Sequence, residues 1–227
     1  MGKKILFAWD FHGVLEKGNV YAVQELVNLV LKDFNINKEI SLKETIEWYG
    51  LSWFDYFRLM THEKDQRFLK KMVNRVLIIQ QQNWETITKK HLKARDFAQE
   101  VLREILKQGH KNIILSNTQP KHIRTFAELI NINCYFDDII GVDQHCKTRI
   151  NKEVHKIKAE TLKKFIKNKN FSKIIAIGDK ESDIKAGRIC GATTFLFIDE
   201  EIISEIKPSE SDYVIKDLRE ILKIVKL

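Results

Sequence analysis

Four short stretches of the chain are apolar at nearly every position: Lys3–Trp9 (KKILFAW), Lys111–Leu115 (KNIIL), Lys173–Ile177 (KIIAI) and Thr193–Ile198 (TTFLFI). Each is rich in β-branched or aromatic residues and about strand length. Continuous rather than alternating apolarity predicts strands buried on both faces, as in a parallel sheet. Between them the apolar positions fall at helical spacing, predicting helices over Thr86–Leu106, Lys121–Ile130, Val154–Ile166 and Asp183–Ile189. Gly109 and Gly191 follow the first and last of these as stop signals. Tyr213–Leu227 reads as a final strand and helix. Strand and helix in alternation predict an α/β fold, a three-layer Rossmann-like domain with a mainly parallel sheet and right-handed crossovers.

One segment breaks the alternation. From about Val20 to Trp84 no strand pattern occurs, and Val20–Phe34, Ser41–Trp48, Trp53–Met60 and Lys64–Gln80 each carry an amphipathic helical pattern. A helical domain inserted after the first strand is expected over residues 17–85, with residues 1–16 and 86–227 forming the sheet domain. Trp48, Tyr49, Trp53 and Tyr56 flank Gly50 in this insert. Their large apolar surfaces suit the core of a small helical domain, and they could also line a substrate entrance.

Composition narrows the class without naming a function. The 227 residues carry 39 Lys and Arg against 31 Asp and Glu, a net charge of +8. Such a field favours anionic partners such as phosphorylated metabolites. The lysines are dispersed, with no arginine-rich block interleaved with aromatics, so no specific nucleic-acid partner is expected. Cys134, Cys146 and Cys190 are odd in number and show no C-x-x-C pair, which fits reduced thiols rather than a disulfide framework. The opening apolar run is too short for a signal-peptide core and is interrupted by Asp10; no stretch is long enough to span a bilayer. A cytoplasmic location with no membrane partner is the expectation.

The candidate chemistry sits at the ends of the predicted strands, where open parallel sheets bind ligands. Those ends carry Asp10, Ser116 and Asp179, with Asp183 four residues further on. Converging carboxylates repel one another unless a cation is present, and an all-oxygen ligand set favours a hard ion such as Mg²⁺. A carboxylate can also attack phosphorus as a nucleophile.

On these residues the chain resembles the haloacid dehalogenase superfamily, in which four motifs occur in fixed order. The first resembles Asp10-Phe11-His12-Gly13-Val14-Leu15, the second Ser116-Asn117, and the fourth Gly178-Asp179-Lys180-Glu181-Ser182-Asp183. The third is a lysine near a helix start, for which Lys152 fits the apolar offsets and Lys156 is the alternative. The insert falls between the first two motifs, where the family's helical caps sit. The resemblance implies that Asp10 forms an aspartyl-phosphate, and that Asp10, Asp179, Asp183 and the backbone carbonyl of His12 hold Mg²⁺. It implies that Ser116, with Asn117 beside it, binds a phosphoryl oxygen and that Lys152 neutralises charge. It also implies that the cap loop at Gly50 faces the substrate.

The chain departs from the family's phosphatases at His12, where a second Asp usually acts as acid and base. An imidazole with a reference pKa of about 6.5 can take that role. The expected function is Mg²⁺-dependent hydrolysis of a phosphate monoester on a small metabolite. A slow or non-catalytic phosphoryl-binding protein, and a phosphomutase or phosphonate-cleaving variant, are the alternatives.

Overall fold

The computed structural model describes residues 4–49, 51–141, 154–199 and 210–226, leaving aside the side chain of Trp84. Its elements in order are β1 (Ile5–Trp9), β2 (Glu16–Lys17), α1 (Asn19–Asp33), α2 (Leu42–Glu47), α3 (Trp53–Thr61), α4 (Gln66–His91), β3 (Lys93–Ala94), α5 (Ala98–Lys107), β4 (Lys111–Ser116), α6 (Pro120–Leu129), β5 (Asp138–Gly141), α7 (Val154–Ile166), β6 (Lys173–Gly178), α8 (Glu181–Ile189), β7 (Thr193–Phe197), β8 (Tyr213–Ile215) and α9 (Glu220–Val225).

The chain divides into two compact units, one formed by Met1–Lys17 with Lys93–Leu227 and the other by Gly18–Leu92. The first is an α/β domain. Six strands form a sheet in the order β5-β4-β1-β6-β7-β8, every neighbouring pair parallel. The central strand β1 is inaccessible over Leu6, Phe7 and Trp9, as expected for a strand covered on both faces. Leu6 and Ala8 on β1, with Ile113 and Leu115 on β4, pack against Leu162 of α7. The opposite face carries Phe7 and Trp9. There the indole Nε1 of Trp9 donates to Asn112 Oδ1 at 3.0 Å, and Asn112 Nδ2 donates to the Leu102 carbonyl of α5 at 3.2 Å. Helices thus cover both faces, giving three layers.

The helical unit has its own core, with Val23, Leu26, Val27 and Val30 of α1, Phe57 and Met60 of α3, and Leu69, Met72 and Val76 of α4 all buried. Ser41 caps α2 in a reciprocal capping box with Glu44, and Ser52 caps α3 through the Asp55 amide. Tyr56 is almost wholly buried, with Trp48 edge-on at 5.7 Å and Trp53 at 5.9 Å. Tyr56 is thus part of the core of the insert, while Trp48 and Trp53 pack against it and remain partly exposed.

The helix expected over Thr86–Leu106 is in fact two. α4 runs on to His91, and the chain then extends through Lys93–Ala94 to pair antiparallel with Glu16–Lys17 before α5 begins at Ala98. Pairing of this short ribbon outweighs the local helical pattern, because the segment leaving the sheet and the segment returning to it satisfy each other's backbone. The second boundary of the helical unit therefore falls at Leu92, not at residue 85. β5 is a strand the pattern did not predict; its four residues are only partly buried and carry a weak apolar signal.

Among the described residues no helix is long and apolar enough to cross a membrane. Cys134 and Cys190 are free thiols, and Cys146 lies outside the described residues.

Candidate active site

The carboxyl ends of β1 and β6 lie side by side because these strands pair in register from Ile5 with Lys173 to Trp9 with Ile177. Asp10 follows β1 directly, and its amide donates to the Ile177 carbonyl at 2.8 Å, so the ladder extends to the carboxylate-bearing residue. Asp179 follows β6. Asp183 is in the first turn of α8, where its Oδ2 accepts the Lys180 amide at 3.2 Å. A carboxylate there satisfies an otherwise orphaned helix-terminal N–H. Asp183 thus caps α8 from its third position.

Each of Asp10, Asp179 and Asp183 offers one oxygen, and these oxygens all lie within 4.8 Å of one another. Asp10 is 9% exposed and Asp183 7%. Facing them is Lys158, on the buried side of α7 and 1% exposed. Its Nζ donates to Asp10 Oδ1 at 2.8 Å and also to Asp183 Oδ1. Burial opposes the ammonium charge, but Asp10 and Asp183 outweigh it and hold the Lys158 pKa above the usual lysine range. Burial pushes the Asp179 carboxyl up to about 7; Lys180 opposes the shift, and the charges of Asp10 and Asp183 add to it. The Asp183 carboxyl is also raised by burial, with Lys158 opposing.

Two glycines permit this crowding. Gly13 has φ 81°, and a Cβ on it would lie 2.4 Å from Asp179 Oδ2. A Cβ on Gly178 would meet the Asp183 Cβ at 2.1 Å. Both positions need the absent side chain so that backbone can approach a carboxylate.

The site suits a divalent cation. Three carboxylates in their ionised form outnumber the Lys158 ammonium by two charges in a mostly buried space, an excess that a divalent cation would balance. The buried Asp179 Oδ1 accepts no hydrogen bond among the described residues, although buried polar atoms are usually paired. The donors are all oxygen, as hard cations require.

His12 stands at the +2 position with its ring fixed. Nδ1 is 2.8 Å from Oε1 of Glu16, a residue 1% exposed. The ring sits edge-on to Phe11 at 5.1 Å and to Phe126 at 5.6 Å. Ser116, the last residue of β4, is 2% exposed on the strand adjacent to β1, and Asn117 follows it with a buried Oδ1 that accepts no bond among the described residues.

Lys152 and Gly50 lie outside the described residues. Lys156 is exposed on α7, and among the described residues the lysine that bonds to Asp10 and Asp183 is Lys158. The sequence does carry a signal for it: Lys158 interrupts the apolar stripe of α7 beside Ala159 and Leu162, both buried, where a solvated lysine would not be expected. Glu16 and Arg95, whose interactions hold the loop after β1, carried no such signal.

Residues 7–197 match the model of a family described as haloacid dehalogenase-like hydrolases. The curated relative named "Putative pyrophosphatase PpaX", from Caldanaerobacter subterraneus subsp. tengcongensis, is 23% identical over 224 residues, covering 96% of this chain and 93% of that protein. Among solved structures, one named "Putative Phosphatase" from Clostridium difficile superposes with a TM-score of 0.78 at 19% identity, over 99% of this chain and 100% of that one. A second, named as a predicted phosphoglycolate phosphatase from Haemophilus somnus, gives 0.77 at 18% identity, over 99% of each chain.

Proposed function

Since this chain belongs to the haloacid dehalogenase-like hydrolase family, we propose that it hydrolyses a phosphate monoester of a small metabolite, using Asp10 as the nucleophile and Mg²⁺ as cofactor. The observation that carries this reading is the convergence of Asp10, Asp179 and Asp183 around one point, with the Lys158 ammonium bonded to the first and last of them. The similarity to proteins named as phosphatases and as a pyrophosphatase agrees with a phosphorylated substrate.

In this mechanism one oxygen of Asp10 attacks phosphorus in line with the ester oxygen, forming an aspartyl-phosphate as the P–O bond to the alcohol breaks. His12 gives its proton to the leaving alkoxide. It then takes a proton from the water that attacks the acyl phosphate, releasing inorganic phosphate and restoring Asp10. Glu16 holds Nδ1 of His12, so Nε2 is the nitrogen left for proton transfer. Lys158 balances charge on Asp10 and the entering phosphoryl group. Ser116 and the Asn117 side chain supply polar contacts for phosphoryl oxygens. Mg²⁺, held by Asp10, Asp179, Asp183 and the carbonyl of residue 12, would offset the negative charge that otherwise repels the phosphate. Lys152, the lysine the family resemblance implies, is a further candidate cation for the phosphate, and the helical insert with Gly50 is the candidate for substrate selection.

Turnover of p-nitrophenyl phosphate with and without Mg²⁺ tests the reading. Wild type is expected to be active only with the metal, and Asp10→Asn to lose activity to background. A wild type that binds orthovanadate with Mg²⁺ but turns nothing over, while His12→Asp gains turnover, would instead establish a phosphoryl-binding protein that has lost catalysis.

A further inference from the structure

The loop that presents Asp10 and His12 is held from behind by a buried guanidinium. Arg95 lies just after β3, where its backbone amide donates to the Leu15 carbonyl at 2.9 Å. Its Nη2 donates to the Gly13 carbonyl at 3.0 Å and reaches the Glu16 carbonyl at 3.4 Å. One planar group therefore binds both ends of the segment from Gly13 to Glu16. Its Nη1 pairs with Asp199 Oδ2 at 2.6 Å, and the two side chains are 10% and 12% exposed. The guanidinium carbon also sits 5.1 Å from the centre of the Phe197 ring.

These contacts meet the site through two residues. The Gly13 backbone lies so close to Asp179 that no side chain fits between them. The Glu16 carboxylate carries the hydrogen bond to His12. A shift of the segment would thus move the glycine that abuts one metal-site carboxylate and the acid that orients the imidazole. A lysine could not replace the arginine, because a point charge on a flexible stem cannot hold two carbonyls and a carboxylate in one plane. The buried charge requires a partner, and Asp199, just beyond β7, supplies it.

We propose that Arg95, clamped by Asp199, is a positioning residue for the phosphoryl-transfer reaction: it sets the loop that places Asp10 and His12 without touching substrate. The proposal rests on the phosphatase reading above. A misplacement of about 1 Å at a reacting group can cost on the order of 100-fold in rate. Accordingly, Arg95→Ala and Asp199→Asn should lower kcat for p-nitrophenyl phosphate by about 10- to 100-fold, with KM changed by less than roughly threefold. Arg95→Lys should recover little of the loss. Guanidinium at non-denaturing concentration should restore part of the Arg95→Ala rate, which a merely loosened fold would not allow. Circular dichroism identifies any variant that fails to fold; should Arg95→Ala be one, Asp199→Asn and Arg95→Lys carry the same test. Wild-type kcat in folded Asp199→Asn or Arg95→Lys, or a loss confined to KM, overturns the proposal alone. A wild type without turnover overturns the phosphatase reading and this proposal together.

Discussion

At the scale of single residues, Lys158 is a buried cation held between two carboxylates. A lysine that is 1% exposed is tolerated only because it donates to Asp10 and Asp183 at once. Replacing it by Met keeps most of the stem's volume and leaves those carboxylates facing each other without a counter-charge. Breaking a buried ion pair from one side costs about 3–5 kcal/mol. Metal-free Lys158→Met should therefore show a midpoint of thermal unfolding well below that of wild type, with part of the difference recovered on adding Mg²⁺. Turnover should fall by at least 100-fold or so, since charge stabilisation is the main contribution to phosphoryl transfer. An unchanged melting temperature in the metal-free variant would show that the ammonium does not compensate these carboxylates. His12 is the complementary case: its identity was legible in the sequence, but its immobilisation by Glu16 and by the edges of Phe11 and Phe126 was not.

At the scale of elements, the junction between β6 and α8 shows how tightly the site is set into the fold. Gly178 ends the strand and Asp183 stands in the first turn of the helix, with no room between them for a methyl group. Gly178→Ala must push Asp183 away from β6. Overpacking of this kind costs about 1–3 kcal/mol, and the displaced carboxylate should weaken Mg²⁺ binding, as titration calorimetry would measure. Retained affinity would mean that Asp183 is not a metal ligand. The strands β1, β4, β6 and β7 were legible because burial on both faces leaves an uninterrupted apolar run. The β2–β3 ribbon was not, because two residues on each side carry no periodicity and form a pair only through their long-range partner. Lys152, the motif lysine expected near a helix start, lies outside the described residues; that Lys158 faces the carboxylates is decided by packing, which sets the side of α7 that meets the sheet.

At the scale of the whole molecule, the charge cluster links stability, pH and metal. Asp179 has its pKa raised by burial to about 7, against an ordinary value of about 3.8, so the metal-free fold favours its neutral form. The sign follows from linkage: the folded state holds the proton more tightly than the unfolded chain, so stability falls as pH rises between those two values. A bound divalent cation requires the ionised form and should reverse the trend. The rise in melting temperature on adding Mg²⁺ should therefore be larger at pH 8 than at pH 5.5, as scanning calorimetry at both values would show. A pH-independent increment would mean that Asp179 is not buried without compensation in the metal-free protein.

What the sequence determined by itself was the α/β class, the helical insertion after the first strand, and the residues at the strand ends that carry the candidate chemistry. Those features are local: apolar periodicity marks elements, and a strand's last residue is adjacent in sequence to the strand. What only the tertiary structure decided was which side chains compensate and orient that chemistry, namely Lys158 against the carboxylates, Glu16 on His12, and Arg95 with Asp199 behind the loop. These partners are brought together by sheet order and helix packing across long stretches of sequence, and a buried charge announces its partner only once the surrounding space is known.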